Sequence, residues 1–205
     1  DGHGHISKGW NTVIGLGDSF FKYNKAGEYK KWYGCQESLI NYKNNGENLK
    51  KTGKAVFRNQ KEYFKQSLSW GLISSGSFGV RYYPDGFIFD NGAPSISINE
   101  SDKNYFLCFL NSKVSFYFLK ILNPTLNFQV GNISNLPIVD SSEEFSLFAK
   151  SNISISKSDW DSRETSWDFE QNPLLAQQQT SLSLAYQFWQ EAVSKDFFQL
   201  HSNEE

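Results

Sequence analysis

The stretch Phe78-Gly-Val-Arg-Tyr-Tyr-Pro-Asp-Gly-Phe-Ile-Phe-Asp90 does most to limit what this chain can fold into. Both flanks are aromatic and β-branched, and such side chains suit the pleated, half-buried surface of a strand. Pro84-Asp85-Gly86 between them is turn chemistry: proline presets φ, aspartate bonds nearby backbone, and glycine accepts positive φ. A β-hairpin is the expectation. Asn91-Gly92 then turns the chain again, towards a further strand over Ser95-Ile-Ser-Ile98.

Beyond this the period changes. From Asp102 to Leu122 the apolar residues Phe106, Leu107, Phe109, Leu110, Val114, Tyr117, Phe118 and Ile121 recur at three- and four-residue spacing. That spacing predicts one helix, capped by Ser101 or Asp102. Asn123-Pro124 ends it, because the residue before proline is pushed out of the helical region. Val130 to Val139 reads as one more short strand, whereas Lys61 to Leu72 has no deciding period and stays open between helix and strand. The first 55 residues read as loops and short strands (Thr12-Val-Ile14, Ser38-Leu-Ile40), with Asn44-Asn45-Gly46 as a turn. After residue 140 an acidic, Ser-rich stretch carrying Trp160, Trp167 and Phe169 leads into a long amphipathic helix, Leu174 to Gln199. The expectation is an α+β fold. A mixed α/β domain with short strands and hairpins occupies residues 1–140, and an acidic, mostly helical tail or docking segment occupies residues 141–205.

Apolar residues at 39% and aromatics at 17% are enough for a buried core. No uninterrupted apolar run approaches the roughly 18 residues of a membrane span. Asp1 opens no signal-peptide pattern, and with no Met anywhere the chain is expected to be a fragment of a longer, cytoplasmic protein. Cys35 and Cys108 read as two reduced thiols. A net charge of -2 hides an asymmetry. Residues 22–65 hold eleven Lys and Arg against four Glu, and residues 140–205 hold twelve acids against four bases. One surface suits a polyanion and another suits something else.

Motif chemistry mostly excludes. His3-Gly4-His5 and His201 are too few for the three or four ligands zinc needs, so no metal is expected. Neither a Gly-x-Gly-x-x-Gly nor a Gly-Lys-Ser/Thr loop is present. The acids at Asp159-Trp-Asp161 and Asp168-Phe-Glu170 read as caps and solvated faces rather than an acid/base pair. Adenine methyltransferases hold the target amino group with an Asn-Pro-Pro-aromatic tetrapeptide, the aromatic stacking on the flipped base. Asn123-Pro124-Thr125-Leu126 puts Thr and Leu in the last two places and follows a helix, so it reads as a turn and no catalytic residue is expected.

Several strings carry a resemblance: Glu28-Tyr-Lys-Lys-Trp-Tyr-Gly34, Asn41-Tyr-Lys-Asn-Asn-Gly-Glu47, Phe78 to Asp90, Phe109-Leu-Asn-Ser-Lys-Val114, Leu122 to Ile133, and Asp159 to Phe169. In order and over residues 8–175, they resemble the C-terminal half of BREX phage-defence adenine-specific DNA methyltransferases of the PglX type. More loosely they are similar to restriction enzymes that fuse nuclease, methyltransferase and target recognition. The resemblance implies a target-recognition domain that reads double-stranded DNA. The catalytic half of the same polypeptide, with its S-adenosylmethionine, is implied to lie upstream, leaving no cofactor in this fragment. The Thr-Gly-x-Asn opening common in such domains is replaced here by Gly15-Leu-Gly-Asp-Ser-Phe20.

Lys30, Lys31, Lys43, Lys50, Lys51 and Lys54 are candidate phosphate contacts. Gln36, Asn41, Asn44, Asn45, Arg58 and Arg81 are candidate base readers, since arginine matches guanine and an amide matches adenine. Tyr82, with Trp32 and Tyr33, is expected to line the interface. The acidic tail keeps a second reading open, a protein–protein scaffold that docks other components of a defence system.

Overall fold

In the computed structural model the described residues are 19–74, 77–138, 145–176 and 179–205. The opening histidines, the expected strand at Thr12-Val-Ile14 and the Gly15–Asp18 segment lie outside them. The elements run β1 (Phe20–Asn24), β2 (Leu39–Asn41), α1 (Lys43–Lys51), a 3-10 turn (Gln60–Glu62), β3 (Ser67–Trp70), β4 (Val80–Tyr83), β5 (Phe87–Phe89) and β6 (Ser95–Ser97). Helices follow: α2 (Glu100–Asn111), α3 (Lys113–Leu122), α4 (Val130–Ser134), α5 (Phe145–Asp161), α6 (Pro173–Ala176) and α7 (Leu182–Glu204). The fold is mixed α+β with a helical C-terminal end. Among the described residues no single helix is long and apolar enough to cross a membrane.

Two three-stranded sheets carry the β structure, ordered β2-β1-β5 and β4-β3-β6. The central strand β3 is buried at all four positions, so both its faces are covered and it shows no alternation. That is why Lys61 to Leu72 could not be assigned by period. It pairs antiparallel with β4 (Leu68 opposite Tyr82) and with β6 (Leu68 opposite Ile96).

The expected hairpin does not form. Both of its strands exist, but β4 belongs to one sheet and β5 runs parallel to β1 in the other. The turn between them is held from outside. Gly86, at φ 105°, donates to Phe64 O (2.9 Å), and Asp85 accepts from Gln66 N (2.7 Å). With Gly86 donating to the approach to β3 and Asp85 accepting from it, the turn splits its strands between two sheets rather than folding one on the other. A buried Asn24 amide ties the sheets together by donating to Ser69 Oγ at 2.7 Å.

The single helix expected over 102–122 is two, bent by 66° at Ser112. Asn111 is the cause. Its amide accepts from Val80 N (2.8 Å) and donates to Val80 O (2.9 Å), which binds the helix end to β4. Ser112 then leaves helical geometry at ψ 155° and caps α3 by accepting from Ser115 N. The expected strand from Val130 is also corrected. Residues 130–134 are helical, with Asn132 accepting from Gln129 N, and Ile133 and Leu136 meet the core at helical three-residue spacing. The long helix expected from Leu174 is two elements, α6 and α7.

The main core gathers Trp32, Leu68, Trp70, Phe78, Val80, Leu107, Leu110, Leu119 and Phe128. A second, aromatic cluster of Tyr42, Tyr63 and Ile88, with Phe21, Phe57, Phe64 and Phe89 against it, sits under the β2-β1-β5 sheet. The residues after 145 pack on this body. Trp160 is buried against Gly34, and Trp167 Nε1 donates to Gln36 O. Both tryptophans of the acidic stretch are therefore engaged within the chain. Exposed aromatics in this region include Phe145 and Phe148 on α5 and Tyr186, Phe188, Phe197 and Phe198 on α7.

Candidate nucleic-acid interface

Segment 43–58 leaves the small sheet after β2 and holds five cations, Lys43, Lys50, Lys51, Lys54 and Arg58, against one acid, Glu47. All five cations are exposed. Of these five, only Lys51 forms an ion pair with a described residue, Glu47 at 2.7 Å. The segment is held down by aromatic packing. Phe57 meets Tyr42 at 6.0 Å between ring centres, Lys50 lies over the Phe57 ring, and Gln60 donates to the Tyr42 hydroxyl at 2.8 Å. Gly46 is buried under those rings, where a Cβ would lie 2.9 Å from Phe57 and 3.0 Å from Tyr42. Asn44, Asn45 and Gly46 all have positive φ, so the expected turn is present and left-handed. Asn41 stands at its entrance, its amide oxygen accepting from Lys43 N. Arg58 reaches Asn91 Oδ1 at 3.4 Å. Of the candidate residues, the structure thus brings together Asn41, Lys43, Asn44, Asn45, Lys50, Lys51, Lys54 and Arg58.

The remaining candidates lie elsewhere and are engaged. Arg81, expected to read guanine, is 1% exposed and donates to the Ala26 and Glu28 carbonyls. It organises the 26–35 loop and presents no fork to a groove. Gln36 is buried too, its amide donating to Tyr82 O at 3.1 Å. The hydroxyl of Tyr82 donates to Gln66, and Lys103 lies over its ring. Trp32 and Tyr33 are core residues. Lys30 sits over the Trp160 ring and pairs with Asp159, while Lys31 pairs with Glu204 at 2.9 Å. The partner of Lys31 lies 173 residues away, and no local pattern announces it. Glu204 also accepts from Trp32 Nε1, so one carboxylate fastens the end of α7 to the 30–32 loop.

Titrating groups here are structural. Burial beside the Phe87 ring lowers Lys22 to about 8 despite the opposing pull of Asp168. Burial opposes the charge on Lys157, but hydrogen bonds with Asp161 and Asp168 outweigh it and hold the amine above its ordinary range. Burial raises the Cys35 thiol and pushes Cys108 up to about 11, so both are protonated at neutral pH and make poor nucleophiles. Among the described residues no group of three or more His, Cys, Asp or Glu is placed to hold a metal.

No family model matches the chain. Two curated proteins do. The adenine-specific methyltransferase PglX of Lacticaseibacillus casei (strain Zhang) is 39% identical over 201 residues, covering 91% of this chain and 17% of that protein. The chain is homologous to a segment of it. The adenine-specific methyltransferase BrxX of Escherichia coli O9:H4 (strain HS) is 39% identical over 168 residues, covering 80% of this chain and 14% of that protein. The chain therefore spans about one sixth of the length of the curated relatives it matches. The methyltransferase resemblance read from the sequence strings agrees with both.

Proposed function

We propose that this chain is the DNA sequence-recognition part of an adenine-specific DNA methyltransferase of a phage-defence or restriction-modification system, acting in the cytoplasm. The observation that carries it is the exposed set of Lys43, Lys50, Lys51, Lys54 and Arg58, against the single acid Glu47, on one aromatic-backed segment. Homology to part of two adenine-specific methyltransferases supports DNA as the polyanion. Methyl transfer from S-adenosylmethionine belongs, on this proposal, to a catalytic half elsewhere in the polypeptide. This chain's residues contribute phosphate neutralisation, orientation on the duplex and base discrimination.

Each lysine–phosphate contact releases a counterion, so affinity falls with salt at a slope of about 0.9 per contact. Replacing Lys43, Lys50, Lys51 and Lys54 together with glutamine is expected to lower the slope of log affinity against log salt by about three to four. The unfolding temperature should fall only slightly, because all four side chains are exposed and, among the described residues, only the Lys50–Phe57 contact and the Lys51–Glu47 pair are lost. An unaltered salt slope would remove the segment from the interface.

A second reading, as a docking scaffold, is favoured by α7. Leu182, Tyr186, Val193 and Phe197 lie on one helical face and are 71, 49, 46 and 59% exposed, while Leu200 on the same face reaches the core. An uncovered apolar stripe of this kind suits another part of the polypeptide or another defence-system protein. Serine at Tyr186 and Phe197 is expected to leave duplex affinity intact and, on this reading, to abolish co-purification with the other proteins of the system. Co-purification that survives both changes would end the reading.

A further inference from the structure

Three successive residues of the basic segment occupy left-handed backbone: Asn44 (φ 51°, ψ 47°), Asn45 (φ 56°, ψ 39°) and Gly46 (φ 74°, ψ 29°). Side-chain-bearing residues visit this region singly and at a cost, and strained backbone held by its surroundings gathers at functional sites. Here the surroundings are visible. Gly46 N donates to Tyr42 O at 3.2 Å, and the Phe57 and Tyr42 rings close over Gly46. Asn44 donates to Glu47 at 3.3 Å, and Glu47 is held in turn by Lys51. Asn45 differs from both neighbours. It is exposed, and among the described residues no hydrogen bond engages its amide.

A free amide at the apex of a braced turn, with Lys43 beside it and Lys50, Lys51, Lys54 and Arg58 on the same segment, has the chemistry of a base reader. Its donor and acceptor are spaced to meet N6 and N7 of adenine together in the major groove. The lysines supply register on the phosphates, which carries no sequence information itself. We infer that Asn45 is a specificity-determining residue that reads one adenine in duplex DNA. The inference rests on the proposed DNA-binding role of segment 43–58.

The competing account is that asparagine stands here only because it tolerates left-handed backbone. Asn45→Gly separates the two, since glycine takes the same conformation more easily and deletes only the amide. This chain and the variant would each be selected against a randomised duplex pool at low salt. Competition between the selected site and single base-pair changes would follow. The expected result is a motif containing adenine for the parent, and a variant whose unfolding temperature and affinity for random duplex are unchanged. At one adenine position the variant's preference should fall by roughly 5- to 150-fold. An unchanged motif with unchanged preferences in the variant overturns the inference. Salt-sensitive binding by the parent with no motif overturns it too, while leaving the basic segment as a DNA-binding face. No duplex binding by the parent at low salt overturns the proposed function and the inference together.

Discussion

Arg81→Met is expected to destabilise the protein by about 3–5 kcal/mol, read by urea unfolding, while leaving any base preference untouched. The reasoning starts from burial. Arg81 is 1% exposed, lies on β4 at the edge of its sheet, and donates to the Glu28 carbonyl at 2.6 Å and to the Ala26 carbonyl. Those carbonyls belong to a loop that turns through positive φ at Ala26, Gly27, Trp32, Gly34 and Cys35, and so cannot pair its own backbone in regular structure. The guanidinium satisfies the loop with its fan of donors. Methionine keeps much of the length and apolar volume but removes the charged donor from two part-buried hydrogen bonds, each worth about 1.5–3 kcal/mol. Lysine should recover only part of the loss, because one ammonium lacks the planar fork that reaches both oxygens. A variant as stable as the parent would show that the loop is held by its other contacts. An altered base preference in a well-folded variant would return Arg81 to the interface.

Trp70→Ala is expected to remove most of the stability of the fold. Trp70 is fully buried at the end of β3, and its ring meets Phe78 at 6.1 Å between centres. Truncating a buried tryptophan to alanine costs about 3–5 kcal/mol through lost burial and the cavity left behind. A second cost is specific to this site. Trp70 Nε1 donates to Phe128 O at 2.7 Å, and Phe128 N in turn donates to Leu72 O at 2.7 Å. These bonds close the 123–128 turn onto β3. Domains of this size hold only about 5–15 kcal/mol in total, so the alanine variant should be mostly unfolded or insoluble at 37 °C. Trp70→Phe is the graded test. It keeps much of the ring, strands the Phe128 carbonyl, and should cost about 2–3 kcal/mol in urea unfolding. Near-parental stability of the phenylalanine variant would show that the turn does not depend on the indole hydrogen bond.

The same 123–128 turn shows what Asn123 does in Asn123-Pro124-Thr125-Leu126. Asn123 donates to Asn127 O and accepts from Thr125 N and Thr125 Oγ1, so both ends of its amide are spent on its own loop. The sequence reading of a structural turn rested on what proline does to its predecessor and on the preceding helix, both of them local effects.

Local chemistry was legible wherever local chemistry decides. Alternating aromatic and β-branched residues placed strands at 80–83, 87–89 and 95–97, proline placed the end of α3 at Leu122, and Asn-Asn-Gly placed the left-handed turn. The concentration of lysine between 43 and 58 also needed no structure, since charge is written in the composition. Tertiary structure decided which partner each element takes. Whether β4 and β5 fold on one another depends on where Gly86 N and Asp85 find their bonds, which is at Phe64 and Gln66. The α2–α3 break depends on Asn111 reaching Val80 across 31 positions, and the sequestering of Lys31 depends on a glutamate 173 positions away. Arg81 shows the limit most plainly. A strand arginine beside tyrosines reads the same whether it faces a groove or a buried loop. Only burial, which sums contributions from the whole chain, tells a base reader from a residue that satisfies backbone carbonyls.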